Sequence, residues 1–209
     1  MRFKNFSHLL LISFTVSGCG SEQGSISSEK EAIAQVSAPY SQGAIRIIIQ
    51  SDPDLNSLNG IANSCTLLII QSEKANTLNK LLSNPVAIRK LFNGAGAQED
   101  ILKVDRYYAM PGQKSTLHID RSDNSRFFAV IAGYYPFPQK QHMALISIPV
   151  ITERSGWWNP RWYASLGDAT LMIRLGESGI THTIENSQNT ADFEEMTYKI
   201  KEKESSNVS

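Results

Sequence analysis

The strongest constraint on this chain is a succession of short apolar runs, each too brief for a helix, rich in β-branched residues and bounded by turn formers. Ala44 to Gln50 reads AIRIIIQ and Thr66 to Gln71 reads TLLIIQ. Both have the length and composition of buried strands. Lys103 to Met110 and Ser115 to Asp120 flank the turn signal Pro111-Gly112, and in the second of these Leu117 and Ile119 alternate with His118 and Asp120. Arg126 to Tyr135 is apolar almost throughout and reads as a central strand. Ala144 to Val150 alternates Ile146, Ile148 and Val150, while Pro149, which cannot donate to a ladder, marks it as an edge. Leu171, Ile173 and Leu175 alternate in the next run, and Glu177-Ser178-Gly179 turns the chain into a last strand at Ile180 to Ile184. Roughly eight short strands predict a mainly β fold, an antiparallel β-sandwich occupying residues 43–184.

One helical insertion interrupts this pattern, at residues 75–93. Leu78, Leu81 and Leu82, then Ile88, Leu91 and Phe92, recur at spacings of three and four. Asn84 before Pro85 has the form of an N-cap followed by proline at the first helical position, so two short helices are expected, the second stopped by Gly94. The glycines of Asn93-Gly94-Ala95-Gly96 lack the Gly-Lys-Ser/Thr ending of a phosphate loop.

The N-terminus carries a different message. Arg2 and Lys4 precede the apolar run Leu9 to Cys19, which is too short to span a bilayer and ends in small residues, so residues 1–18 read as a secretory signal. Val16-Ser17-Gly18-Cys19 resembles the bacterial lipobox, which implies acylation of Cys19 and a mature chain that begins there. Gly20, where an aspartate favours retention in the inner membrane, implies the outer membrane, with the domain facing the periplasm. Residues 19–42 are polar and aperiodic and read as a flexible tether, and residues 185–209 form a charge-mixed tail to which no structure is assigned.

Lys plus Arg equals Asp plus Glu at 20 each, so nothing electrostatic argues for nucleic acid. With Cys19 acylated, Cys65 has no partner in the chain and reads as a buried apolar thiol. His118, His142 and His182 stand at no metal-ligand spacing to one another, to Cys or to an acid, and no Gly-x-Ser-x-Gly elbow occurs. Catalysis, a metal and a cofactor are therefore not expected.

Two features remain for binding. Ser51 to Cys65 is far longer than a hairpin needs, and long loops in compact domains tend to be functional. Its Asp52, Asp54 and Asn56 alternate as in a calcium loop, but an EF-hand wants Gly where Ser57 stands and Glu where Asn63 stands. The aromatic clusters Tyr134-Tyr135-Pro136-Phe137-Pro138 and Trp157 to Tyr163 lie at strand ends or in loops, where they serve equally well as partner anchors or as lids on the core.

Along residues 44 to about 184 the order of these features resembles the outer-membrane lipoproteins of type VI secretion systems, the TssJ (SciN, VasD) family. The resemblance rests on the lipobox, a strand, a long polar loop, a second strand, a helical insertion, a strand ending in Met110-Pro111-Gly112, a strand like Phe127 to Gly133, and closing strands. It implies a transthyretin-like sandwich in a structural protein that binds the periplasmic domain of the inner-membrane protein TssM, among other membrane-complex subunits. In the family, the loop between the first two strands contributes to that contact. Mapped here, it covers Asp52, Asp54, Leu55, Asn56, Leu58, Asn59, Ile61 and Asn63, of which the apolar members have little reason to sit in a solvated loop. No small-molecule substrate is implied. The competing expectation is a periplasmic ligand-binding or pilotin-like lipoprotein.

Overall fold

A computed structural model describes residues 28–94, 100–137, 139–158 and 160–185. The expected signal peptide, Cys19, the first part of the expected tether and the tail from residue 186 lie outside the described residues. The order of elements is α1 (Glu29–Ala34), β1 (Ser41–Ser51), β2 (Cys65–Ser72), α2 (Ala75–Leu82), α3 (Pro85–Phe92), β3 (Ile101–Ala109), β4 (Lys114–Arg121), β5 (Phe127–Ala132), a 3-10 turn at Lys140–His142, β6 (Met143–Ser147), β7 (Val150–Ser155), β8 (Arg161–Leu166), β9 (Ala169–Leu175) and β10 (Ile180–Glu185). Two four-stranded sheets, ordered β10-β9-β1-β4 and β3-β2-β5-β6, pack face to face, and β7-β8 stands apart as a two-stranded ribbon.

The period-two pattern explains the packing. Ile45, Ile47 and Ile49 of β1 and Leu171, Ile173 and Leu175 of β9 point inward onto Leu67 and Ile69 of β2 and Phe128 and Val130 of β5. β2 and β5 are apolar at nearly every position because their other face is also covered. Leu68, Ile70, Ala129 and Ile131 meet Leu78 and Leu81 of α2 and Ala87, Ile88 and Leu91 of α3 in a second cluster. The break between the helices is the expected one: Pro85 opens α3 and the Asn84 side chain accepts from the Ala87 N–H at 3.1 Å.

Four features depart from the sequence reading. The sheet containing β1 is mixed, because β1 runs antiparallel to β4 but parallel to β9, a relation that no local pattern encodes. The run expected as one strand over 144–150 divides at Ile148-Pro149: β6 belongs to the second sheet, and β7 opens the ribbon. Pro149, lacking an N–H, is where the ladder ends. The ribbon itself, which beyond Val150 lies outside the strands expected from sequence, brings the described strands to ten.

The fourth departure concerns the tether, which is folded from Ser28 onward. Ser28 caps α1, its Oγ accepting from the Glu31 N–H at 3.2 Å, and Ala32, Val36 and Ala38 are buried. Asp123 and Asp120 accept from the Tyr40 and Gly43 N–H groups at 2.7 and 2.8 Å, while Arg121 and Arg126 donate to the carbonyls of Pro39 and Val36. The Gly43 N–H and the Tyr40 hydroxyl both hold the Asp120 carboxyl below its usual range.

The sandwich thus has two distinct ends. β1 leaves the entry end at Ser41, opposite Arg121, and reaches the far end at Ser51, beside Leu175. α1 and the β4–β5 turn sit at the entry end. The β1–β2 loop, the β3–β4 turn and the β9–β10 turn gather at the far end.

Candidate functional site

The β1–β2 loop is built in two parts, a bolted root and a displayed tip. At the root the Asp52 N–H donates to Leu175 O at 2.9 Å, the Gly112 N–H donates to Asp52 O at 3.0 Å, and Arg174 Nε donates to Asp52 Oδ1 at 2.8 Å. That ion pair is largely shielded, its side chains 20% and 17% exposed. The Asn56 and Ser57 N–H groups donate to Gly176 O and Glu177 O of the β9–β10 turn. Asn63 Nδ2 donates to Ile61 O at 2.8 Å and to Asn56 O at 3.3 Å, and Asn56 Nδ2 donates to Ser64 O at 2.9 Å. The two asparagines therefore act as internal braces, as turn-forming side chains do.

Leu55 is fully buried, at 0% exposure within the inter-sheet core. The expectation that it is displayed with Leu58 and Ile61 is corrected here: it plugs the far end of the sandwich, because its backbone turns inward where the Leu55 N–H returns to Asp52 O at 3.1 Å. Tyr134 closes the same end, its hydroxyl donating to Gly176 O at 3.1 Å. Of the aromatic cluster around residues 134–138, this residue is the lid. Its burial raises the phenol pKa well above the ordinary range, and burial pushes the Cys65 thiol up to about 12.

Leu58 and Ile61 exchange backbone hydrogen bonds, Leu58 N–H to Ile61 O at 2.9 Å and Ile61 N–H to Leu58 O at 3.1 Å, across Asn59 and Gly60. With φ of 54° and 77° these two residues form a type I′ turn, for which Asn-Gly is the preferred pair. The tip is thus a miniature hairpin that holds Leu58 and Ile61 in solvent at 52% and 68% exposure. Asp54 and Asn59 are also exposed. Met110, exposed in the β3–β4 turn, lies on the element tied to the root through Gly112.

Among the described residues the histidines do not converge. His118 on β4 and His182 on β10 are exposed on opposite edges of one sheet. His142 is buried at the far end, 3.1 Å from Ser178 O, so its Nε2 carries the proton; burial lowers its pKa. A cleft of about 250 Å³ lined by Arg89, Phe92, Asn93, Gly133, Tyr134 and Phe137 lies beside α3, outside the inter-sheet core.

A helix-covered, two-sheet β-sandwich with one elaborated end loop is the class of protein this fold defines. The sequence profile of the type VI secretion lipoproteins, described as VasD, EvfM and TssJ, matches residues 44–177, and the chain belongs to that family. Among solved structures, the type VI secretion lipoprotein TssJ1 from Pseudomonas aeruginosa is similar at 17% identity, covering 73% of this chain and 99% of that one with a TM-score of 0.50. Lip from Serratia marcescens, a membrane-bound component of its type VI secretion system, matches at 15% identity over 68% of this chain and 98% of that one, also with a TM-score of 0.50. At these identities the likeness concerns the fold. No curated protein matches the sequence significantly.

Proposed function

We propose that this lipoprotein is acylated at Cys19, resides in the outer membrane facing the periplasm, and ties a type VI secretion membrane complex to that membrane by binding the periplasmic domain of TssM. Its role is structural, without catalysis or cofactor. The observation that carries the reading is the Leu58–Ile61 hairpin: two apolar side chains are held in solvent by a type I′ turn whose root is fastened to three neighbouring elements. A rigid apolar tip loses little conformational freedom on docking, which is what a specific contact with a partner groove requires. Asp54 and Asn59 lie at its rim.

The test is binding of the unacylated mature chain to the periplasmic domain of the cognate TssM. Leu58→Asp with Ile61→Asp is expected to weaken it at least about a hundredfold, because two apolar anchors become charges facing the interface. Unchanged affinity in this variant would move the contact away from the loop. For the anchor, Cys19→Ser is expected to release the protein from outer-membrane fractions.

A further inference from the structure

We propose that the tip of the β7–β8 ribbon is a second membrane contact, in which Trp157 and Trp158 seat in the headgroup interface of the bilayer that holds acylated Cys19. The inference rests on the reading of Cys19 as the anchor.

Among the described strands the ribbon pairs only with itself, from Val150 opposite Leu166 to Ser155 opposite Arg161. One of its faces carries the half-buried Thr152, Trp162, Ala164 and Leu166, and α1 packs on the ribbon there. The Thr152 hydroxyl donates to Glu29 at 2.8 Å, joining the ribbon to the first turn of α1. The tip beyond this support is uncovered. Trp157 and Trp158 are 90% and 91% exposed, their rings 5.6 Å apart and tilted by 39°. Neither is the core lid that a Trp at a strand end could be.

Two adjacent indoles displayed to water at the end of a supported ribbon fit a medium that is apolar on one side and hydrogen-bonding on the other, the character of a bilayer interface. The charge around them agrees. Arg154 and Arg161, both exposed, stand on either strand just behind the tip, placed to meet lipid phosphates, and the ribbon's acid Glu153 lies one position further back.

Reach provides the independent condition. Cys19 precedes Ser28 by nine positions, so the linking chain spans at most about 32 Å. Glu29 is bonded to Thr152, and the five positions from there to Trp157, of which those to Ser155 are extended strand, cover at most about 17 Å. The lipid and the tryptophans can therefore lie in one membrane plane at once. The far end, with Leu58 and Ile61, sits beyond the length of β1, about 35 Å of strand away, and points into the aqueous space. A single flexible attachment leaves the domain free to tumble; a second contact at the entry end orients the partner-binding hairpin away from the bilayer.

The test uses the full acylated chain in vesicles of phosphatidylethanolamine and phosphatidylglycerol. The tip signal is the difference in tryptophan emission between the native chain and the Trp157→Ser, Trp158→Ser variant, which keeps Trp162. The expected result is a blue-shifted tip signal that is quenched by brominated lipids and protected from aqueous acrylamide. Co-sedimentation with vesicles together with a tip signal open to acrylamide and blind to bromolipid overturns the contact while leaving the anchor intact. Protection gained only on adding the TssM periplasmic domain overturns it in favour of a protein partner. Failure to co-sediment, with Cys19→Ala behaving identically, removes the anchor reading and this inference with it.

Discussion

Replacing Leu55 by alanine separates two roles that lie three residues apart in one loop. The side chain is fully buried between the sheets at the far end, with Cys65 and Tyr134 in the same cluster. Truncation removes its transfer free energy and leaves a cavity that the bolted root, fastened through Asp52 to Leu175, Gly112 and Arg174, cannot collapse into. A cost of about 3–4 kcal/mol is expected, within the range for buried leucines. For a chain of this size that is a drop of about 6–15 °C in Tm. Leu58→Ala and Ile61→Ala, which remove exposed atoms, should stay within about 0.5 kcal/mol of the native chain. Urea titrations of the three variants at constant m-value measure this directly. The same substitutions should rank differently in binding to the TssM periplasmic domain, Leu58→Ala and Ile61→Ala weakening it and Leu55→Ala acting mainly through stability. Leu55→Ala costing under about 1 kcal/mol, or Ile61→Ala costing as much as Leu55→Ala, would refute the division of the loop into root and tip.

Arg174→Ala should cost about 1–2 kcal/mol, since it strips a shielded charge-assisted hydrogen bond from Asp52, and hydrogen exchange should rise at Asn56 and Ser57, whose amides depend on the same root. Cys65 should resist thiol reagents at pH 8 in the folded protein and react at once in denaturant. Because its pKa is about 12 when folded against 9.0 in the reference state, the folded chain keeps a proton that the unfolded chain loses. The stability this contributes is whole below pH 9 and falls as pH rises from there toward 12, with Tyr134 acting in the same direction; a flat urea midpoint between pH 8 and 11 would contradict this. His142, lowered by burial, should act in the opposite sense, its contribution waning as pH falls below 6.5.

Local chemistry made much of this protein legible. The short β-branched runs of β1 and β2 and the apolar run of β5 declared buried strands, and the alternation in β4 and β9 declared which residues share a face, because a two-residue period maps directly onto the faces of a pleat. Asn84-Pro85 set the break between α2 and α3, since the cap and the ring act on their own backbone. Asn59-Gly60, the preferred pair for a type I′ turn, and the capping-box spacing of Ser28 with Glu31 are local signals of the loop tip and of α1 that a reading by composition, as polar loop and as tether, passed over. The family resemblance likewise rests on the order of such local features.

Decisions that depend on distant partners were not legible. Whether β9 runs parallel or antiparallel to β1 leaves no local trace, because either direction buries the same alternate residues. The burial of Leu55 and the exposure of Ile61 are likewise equivalent as sequence, two aliphatic residues in a polar loop. Only the closed end of the sandwich, formed by strands more than a hundred residues apart, decides which of them has a cavity to fill. The same holds for Trp157 and Trp158, whose residue type suits a lid and an exposed anchor equally. They stand in solvent because Pro149 ends one ladder and the chain beyond it pairs with itself as a ribbon that carries the two indoles past its supported part. Sequence by itself determined the elements and their faces, since those depend on near neighbours; tertiary structure alone decided which apolar side chains were left over after the core was full.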